Sequence, residues 1–250
     1  MAKPTGFGGR DYPDFGVSTV SSSILAITDL SELVARLDGI NTFERTGNVL
    51  YQEDFSAGLA GWESTYYPAS AYPQVNARWI AHKPYSIYLH TTALIDSYSA
   101  VTKAFPYPHI SLFGMECHFK AVTTFPTLTF AFNITDGSYY SQPNIVISSI
   151  DNTIKLLNAG NTYQTIGTPN IYTGVYSPFH IFKIVINLDT RKYVRAVFDE
   201  FDYSIPTIGL YITPDTTAPM ITIQMKLSTA TADAYGLCVT NVIITTNEPE

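Results

Sequence analysis

Residue types able to do chemistry are sparse and scattered in this chain of 250 residues. The histidines are His82, His90, His109, His118 and His180. They form no H-x-H or HExxH spacing, and Cys117 and Cys238 form no CxxC pair, so no transition-metal site is expected. No G-x-S-x-G run marks a nucleophilic serine. Asp199, Glu200 and Asp202 make the densest acidic cluster; it follows a strand-like run and reads as a solvated loop. Glu116 stands alone. His90 and His118 fall in strand-like runs where they could be neighbours, although surface or hydrogen-bonded roles explain them more simply. The turn acids Asp136, Asp151 and Asp189 could supply oxygens to calcium, yet each is more simply a turn former. No cofactor is therefore expected.

The sharper signal is aromatic. Tyr66, Tyr67 and Tyr72 fall in one proline-broken loop, Tyr139 and Tyr140 in a second, and Tyr172 and Tyr176 in a third. An exposed tyrosine can stack on a sugar ring, and the same ring is favoured at protein contacts. The sequence leaves both uses open; low charge and Thr- and Tyr-rich loops lean toward protein contact. Trp62 and Trp79 read as core anchors.

The composition belongs to β-structure. Hydrophobic residues are 46% and charged residues 14%, with 18 Tyr and 14 Phe, side chains that suit a pleated, half-buried surface. The low charge also suggests surface covered by a partner. A net charge of −7 and the lack of any basic cluster argue against nucleic acid, whose phosphates need a positive field. No apolar run is long enough for a membrane span, and none at the N-terminus resembles a signal peptide. Two buried thiols are expected at Cys117 and Cys238 in preference to a disulfide.

The elements that would position these residues are strands. The organising stretch is residues 180–203, where Phe182, Ile184, Ile186 and Leu188 alternate with Lys183, Val185 and Asn187, and Asp189-Thr190-Arg191 interrupts before a second β-rich run. This spacing predicts a hairpin. Residues 112–123 alternate as well: Phe113, Met115, Cys117, Phe119 and Ala121 on one face, Glu116, His118 and Lys120 on the other. Leu128, Phe130, Phe132 and Ile134 predict another inward face, as do Ile221, Ile223, Met225 and Leu227. Asp136-Gly137 and Asp151-Asn152 read as turns. Further strands are expected over residues 49–55, 75–80, 85–91, 100–105, 208–212 and 237–245, and a loop over 160–178. About twelve strands spaced by turn signals mean a sandwich or jelly roll. The fold class is therefore an all-β antiparallel jelly-roll sandwich over residues 49–250. Ahead of it, residues 1–48 carry a Gly- and Pro-broken arm and one short amphipathic helix over residues 28–37.

At this point a resemblance emerges. YQEDFSAGLAGWE resembles the opening strand of jelly-roll carbohydrate-binding modules. FKIVINLDTRKYVR and CVTNVIITTNEP resemble the middle and end of concanavalin- and laminin-G-like sandwiches. The resemblance implies that the first and last strands lie together. It also implies a fold that hosts lectins, enzymes, capsid proteins and adhesins. Concanavalin-like hydrolases carry a Glu-x-Asp-x-x-Glu strand, which this chain lacks. The leading GRDYPDFG and TDLSELVARL segments give a layout similar to a bacteriophage virion surface protein of the decoration type.

The resulting first expectation is a non-enzymatic assembly protein at a virion surface, capsid or tail. It would engage neighbouring subunits, as a homo-oligomer or on a particle shell, through Phe7, Tyr12, Phe15, Leu30, Leu33 and Leu37. The second is a lectin-like module that stacks polysaccharide on the loop tyrosines. The third is a glycoside hydrolase, which requires two facing acids.

Overall fold

The computed structural model describes residues 48–78, 85–107, 111–205 and 207–248. The expected arm, helix and assembly residues (Phe7, Tyr12, Phe15, Leu30, Leu33, Leu37) lie outside the described residues, as does Trp79. Two antiparallel sheets stack as a sandwich. The first runs β14 (Phe201–Ser204), β13 (Lys192–Phe198), β12 (His180–Asn187), β6 (Leu112–Ala121), β17 (Gly236–Thr246), β4 (Ser86–His90) and β3 (Gln74–Asn76), with β1 (Asn48–Glu53) also on β17. The second runs β11 (Tyr163–Gly167), β10 (Thr153–Leu157), β9 (Asn144–Ser148), β7 (Thr127–Thr135), β16 (Met220–Ser228), β5 (Tyr98–Pro106) and β2 (Glu63–Tyr67). There β8 (Tyr139–Ser141) pairs with β7, and β15 (Ile212–Pro214) pairs with β8. The pairing of β1 with β17 joins the two ends of the domain, as the resemblance implied.

Period-2 alternation builds the core. From the first sheet, Phe113, Met115, Cys117 and Phe119 of β6 and Phe182, Ile184 and Ile186 of β12 point inward and are buried. From the second sheet they meet Leu128, Phe130, Phe132 and Ile134 of β7 and Ile221, Ile223, Met225 and Leu227 of β16. Phe130 stacks on Phe182 with ring centres 5.2 Å apart. Tyr193 of β13 is wholly buried; its hydroxyl accepts from the Asn144 amide at 2.9 Å and donates to the Leu157 carbonyl at 3.0 Å. The phenol thus ties the first sheet to β9 and β10, and its burial pushes its pKa above the ordinary tyrosine value. The expected hairpin is β12–β13, with Arg191 in the left-handed region (φ 54°) that its tight turn requires.

Local strand assignments changed where breakers or polar residues masked them. Tyr66 and Tyr67 lie on β2 and Tyr139 and Tyr140 on β8, so neither pair is in a loop. The residues 160–178 expected as loop include β11. The acidic stretch expected as a solvated loop turns at Asp199-Glu200 and continues into β14. The strand expected over 208–212 begins only at Ile212; Ile208 and Leu210 are core residues of an irregular segment.

Candidate functional site

The outward face of the second sheet gathers a flat polar surface edged with rings. Along β16 the alternation that buries Ile221, Ile223, Met225 and Leu227 turns Thr222, Gln224 and Lys226 outward. Register then sets their neighbours: Thr222 beside Ala104, Gln224 beside Thr102, and Lys226 beside Ala100 on β5. On β2, Glu63 lies opposite Thr102, Thr65 opposite Ala100, and Tyr67 opposite Tyr98. Tyr67 and Tyr98 therefore sit side by side, and Tyr67 is 52% exposed. The Lys226 ammonium lies 4.4 Å from the Tyr98 ring centre, and Gln224 Nε2 donates to Thr102 Oγ1 at 3.2 Å. Thr102 lies four residue steps along β5 from Tyr98, so rings and amide row are spaced by about 13 Å along the strand.

Past Thr102 this face deepens into a groove of about 570 Å³, lined by Trp62, Glu63, Lys103, Met220 and Thr222 among others. The groove is braced from behind by one carboxylate. Glu53 accepts from the Phe55 amide (3.0 Å), from Trp62 Nε1 (3.0 Å) and from the Tyr51 hydroxyl. Burial, and then the bond to Glu53, raise the Tyr51 pKa well above the ordinary tyrosine value. The ring faces oriented in this way hold the Lys103 ammonium, 4.5 Å from the Tyr51 centre and 5.5 Å from that of Trp62. Cations sit favourably over such faces. Trp62 itself is buried, as expected of an anchor, and its turn uses Gly58 and Gly61 at φ 70° and 76°.

The expected aromatic residues do not form one cluster. Tyr66 shares the core side of β2 with Ser99 and packs edge-to-face on Tyr72 at 5.1 Å, so this pair forms the sandwich rim beside the face. Tyr139 takes the Arg191 guanidinium on its ring (4.2 Å), while Tyr140 donates to Asn133 Oδ1 at 2.5 Å. Tyr172 lies parallel to His180, and Tyr176 is 99% exposed on the same loop. Of the tyrosines singled out from sequence, Tyr67 and Tyr140 fall on the outward face; Tyr140 lies beside Thr135, and the Asn133 it bonds is the neighbour of Thr222. Sequence reasoning missed Tyr98, Lys226, Lys103, Tyr51 and Glu53. Alternation in residues 98–106 and 220–228 carried the signal for Tyr98 and Lys226, whereas it puts Lys103 on the core side of β5, opposite Ile223.

The opposite face of the first sheet carries charge but is closed. Glu116, His118, Lys120 and Lys183 all point away from the core, as the alternation predicts, yet all are buried. Glu116 does not stand alone: His118 Nε2 donates to it at 2.8 Å. His118 and His90 are not neighbours, because β17 runs between β6 and β4. Glu248 receives Lys183 Nζ at 2.7 Å, Arg195 Nη2 at 3.2 Å and the Thr245 hydroxyl. It lies over Gly114, where a Cβ would be 3.0 Å from Glu248 Oε1. Two acids thus share this face, but both are buried, Glu116 at 2% exposure. His180 is held by Asp199 Oδ2 (2.7 Å) and by the Tyr172 amide (3.0 Å). Cys117 and Cys238 are free and buried; burial pushes the Cys238 thiol up to about 12 and that of Cys117 well above its ordinary value. Asp136 accepts from the Ser138 and Tyr139 amides and pairs with Arg191 at 3.0 Å, as a turn former does. Among the described residues, no three His, Cys, Asp or Glu side chains converge as a metal site would require.

Comparison with solved structures places this architecture. The chain is similar to a carbohydrate esterase from the Shiga toxin-encoding bacteriophage phi24B, at TM-score 0.51 and 13% identity over 81% of this chain and 100% of that one. It is similar to a sialidase at TM-score 0.51 and 11% identity over 81% of this chain, spanning only 19% of the sialidase. Peanut lectin aligns at TM-score 0.49 and 11% identity over 80% of this chain and 97% of the lectin. No protein-family model and no curated protein sequence matches. The chain shares the fold of these structures, an all-β sandwich of two antiparallel sheets. An esterase and a sialidase also carry this fold, so fold alone leaves binding and catalysis both open.

Proposed function

We propose that this domain is a carbohydrate-binding module that grips its ligand on the outward face of the second sheet, without catalysis there. The observation that carries the reading is the Tyr67–Tyr98 pair. It is set on a flat face of threonine and glutamine hydroxyls and amides that leads into the groove at Glu63, Thr102 and Thr222. Rings offer stacking to the apolar face of a sugar, and the polar row offers partners to its hydroxyls. The likeness to a phage carbohydrate esterase over that structure's whole length supports the reading. The test is titration of the full chain against a polysaccharide panel, with melting temperature as the folding control. Tyr67→Ala should weaken binding roughly tenfold, the loss expected for one stacking contact of about 1.4 kcal/mol. Failure to bind any polysaccharide, or affinity untouched by both Tyr67→Ala and Tyr98→Ala, would sink it.

A particle-surface assembly role is the second reading. The loop exposing Tyr172, Val175 and Tyr176 favours it, and a defined oligomer of the full chain in solution would support it.

A further inference from the structure

The connection over residues 168–179, between β11 and β12, holds apolar side chains in water on a backbone that is fixed in place. Tyr172, Val175 and Tyr176 are exposed on it. The Ile171 amide donates to Asn152 Oδ1 at 3.4 Å, that of Tyr172 to His180 Nε2 at 3.0 Å, and that of Gly174 to the Ala121 carbonyl at 3.0 Å. The Ser177 hydroxyl lies 2.8 Å from the Gly174 carbonyl and 3.1 Å from that of Ala121. The same bonds bring two neighbours alongside. Asn152 belongs to the β9–β10 turn, which exposes Ile150. His180 Nδ1 donates to Asp199 Oδ2 at 2.7 Å, and Asp199 opens the turn into β14, where Phe201 is 54% exposed. Five large apolar side chains therefore stand out from one corner of the sandwich. A clustered exposed apolar surface marks an interaction site, and one already held rigid needs little ordering on binding.

The charges around this corner have one sign. Asp151 and Asp199 stand in the two turns, and Glu200 and Asp202 follow Asp199, whereas residues 149–152, 168–179 and 199–202 contain no Lys or Arg. Lys155 lies 4.0 Å from Asp151, and Lys120 is buried with its ammonium 5.5 Å from the Phe179 ring centre. Glu200 and Asp202 are exposed and take part in none of the ion pairs among the described residues.

We propose that this corner is a docking surface for a protein partner that presents Lys or Arg beside an apolar or aromatic centre. Burial of the apolar side chains supplies the attraction, and the acids select the partner, since like charges brought together oppose association. A second copy of this chain would set the same acids against each other, and an anionic bilayer would be repelled by them. Ile150, Val175 and Phe201 offer nothing to sugar hydroxyls, which separates this surface from the Tyr67–Tyr98 face. The proposal goes beyond both readings above, because it needs neither sugar binding nor a homo-oligomer.

The experiment selects a phage-displayed random peptide library on the immobilised full chain. Enriched peptides are then titrated calorimetrically against the wild type, Tyr176→Ser, Glu200→Lys and Tyr67→Ala. The expected peptides carry Lys or Arg among aromatic or aliphatic residues. Their affinity should fall roughly tenfold or more in Tyr176→Ser and in Glu200→Lys, and stay unchanged in Tyr67→Ala. Enriched peptides without basic residues, affinity indifferent to either corner variant, or no enriched peptide at all overturns the proposal. So does a dimer in light scattering that Tyr176→Ser dissociates, which gives the corner to a second copy. Cosedimentation with phosphatidylcholine vesicles that Tyr176→Ser abolishes gives it to a lipid surface and overturns it equally. Both corner substitutions fall at exposed positions, and unchanged melting temperatures show that each result concerns binding and not folding.

Discussion

Substituting Glu248 by Gln would remove one negative charge from a buried ionic cluster and leave volume almost unchanged. The carboxylate is fully enclosed, meeting Lys183 at 2.7 Å through Oε1 and Arg195 at 3.2 Å through Oε2. Lys183 is 4% exposed and Arg195 is 21% exposed. Removing one partner of a buried pair costs about 3–5 kcal/mol, because the remaining charge stays out of water. Arg195 keeps some hydration, which places the expectation near the lower end, about 3 kcal/mol. The Gln amide nitrogen adds a donor where two cations already donate, which works against any recovery. For a domain of this size such a loss lowers Tm by roughly 6–12 °C. Urea unfolding of the wild type, Glu248→Gln, Lys183→Met and the double variant measures it. The double variant should lose less than the sum of the singles by more than about 1 kcal/mol, as contacting residues do. High salt should change the wild type little, since buried pairs are poorly screened. A loss below about 1 kcal/mol with additive singles would refute the reasoning. The cluster would then behave as a surface pair does, and its enclosure would contribute nothing.

Two further outcomes follow from the geometry. Tyr193→Phe leaves the Asn144 amide and the Leu157 carbonyl without their buried partner; about 1–3 kcal/mol should be lost in urea unfolding. At Asp136, burial raises the pKa, but the Ser138 and Tyr139 amides and Arg191 outweigh it and bring the carboxyl below its ordinary 3.8. A folded value below the unfolded one means stability that is present above pH 3.8 and lost as the pH falls through the lower folded value. The wild type should thus exceed Asp136→Asn in Tm at neutral pH, and a pH series should show the gap close in acid.

Much of the fold was legible because strand formation in this chain is encoded two residues at a time. Phe182, Ile184 and Ile186, or Ile221, Ile223 and Met225, could hardly be placed except on one face of a strand, and the Asp136-Gly137 and Asp151-Asn152 turns cut the runs where the structure turns. Misreadings fell where a local breaker outvoted long-range pairing. Pro68 made Tyr66 and Tyr67 look like loop residues, but pairing with Ser99 and Tyr98 holds them in β2. Tyr163 to Gly167 lacks an apolar rhythm and is a strand because β10 offers it an edge.

The sequence alone determined that the chain is an all-β sandwich and which side chains form the alternating faces of its core. Only the tertiary structure decided which of the non-core faces is open. Glu116, His118 and Lys183 alternate with core residues just as Thr222, Gln224 and Lys226 do, yet the first set is buried and the second is partly exposed. Alternation specifies which face turns from the core, but not whether another part of the chain lies over it. Nor could it place Tyr67 beside Tyr98, or the Lys103 ammonium between Tyr51 and Trp62. Those neighbours are separated by tens of residues and meet through strand register and sheet edge, which non-local hydrogen bonding sets.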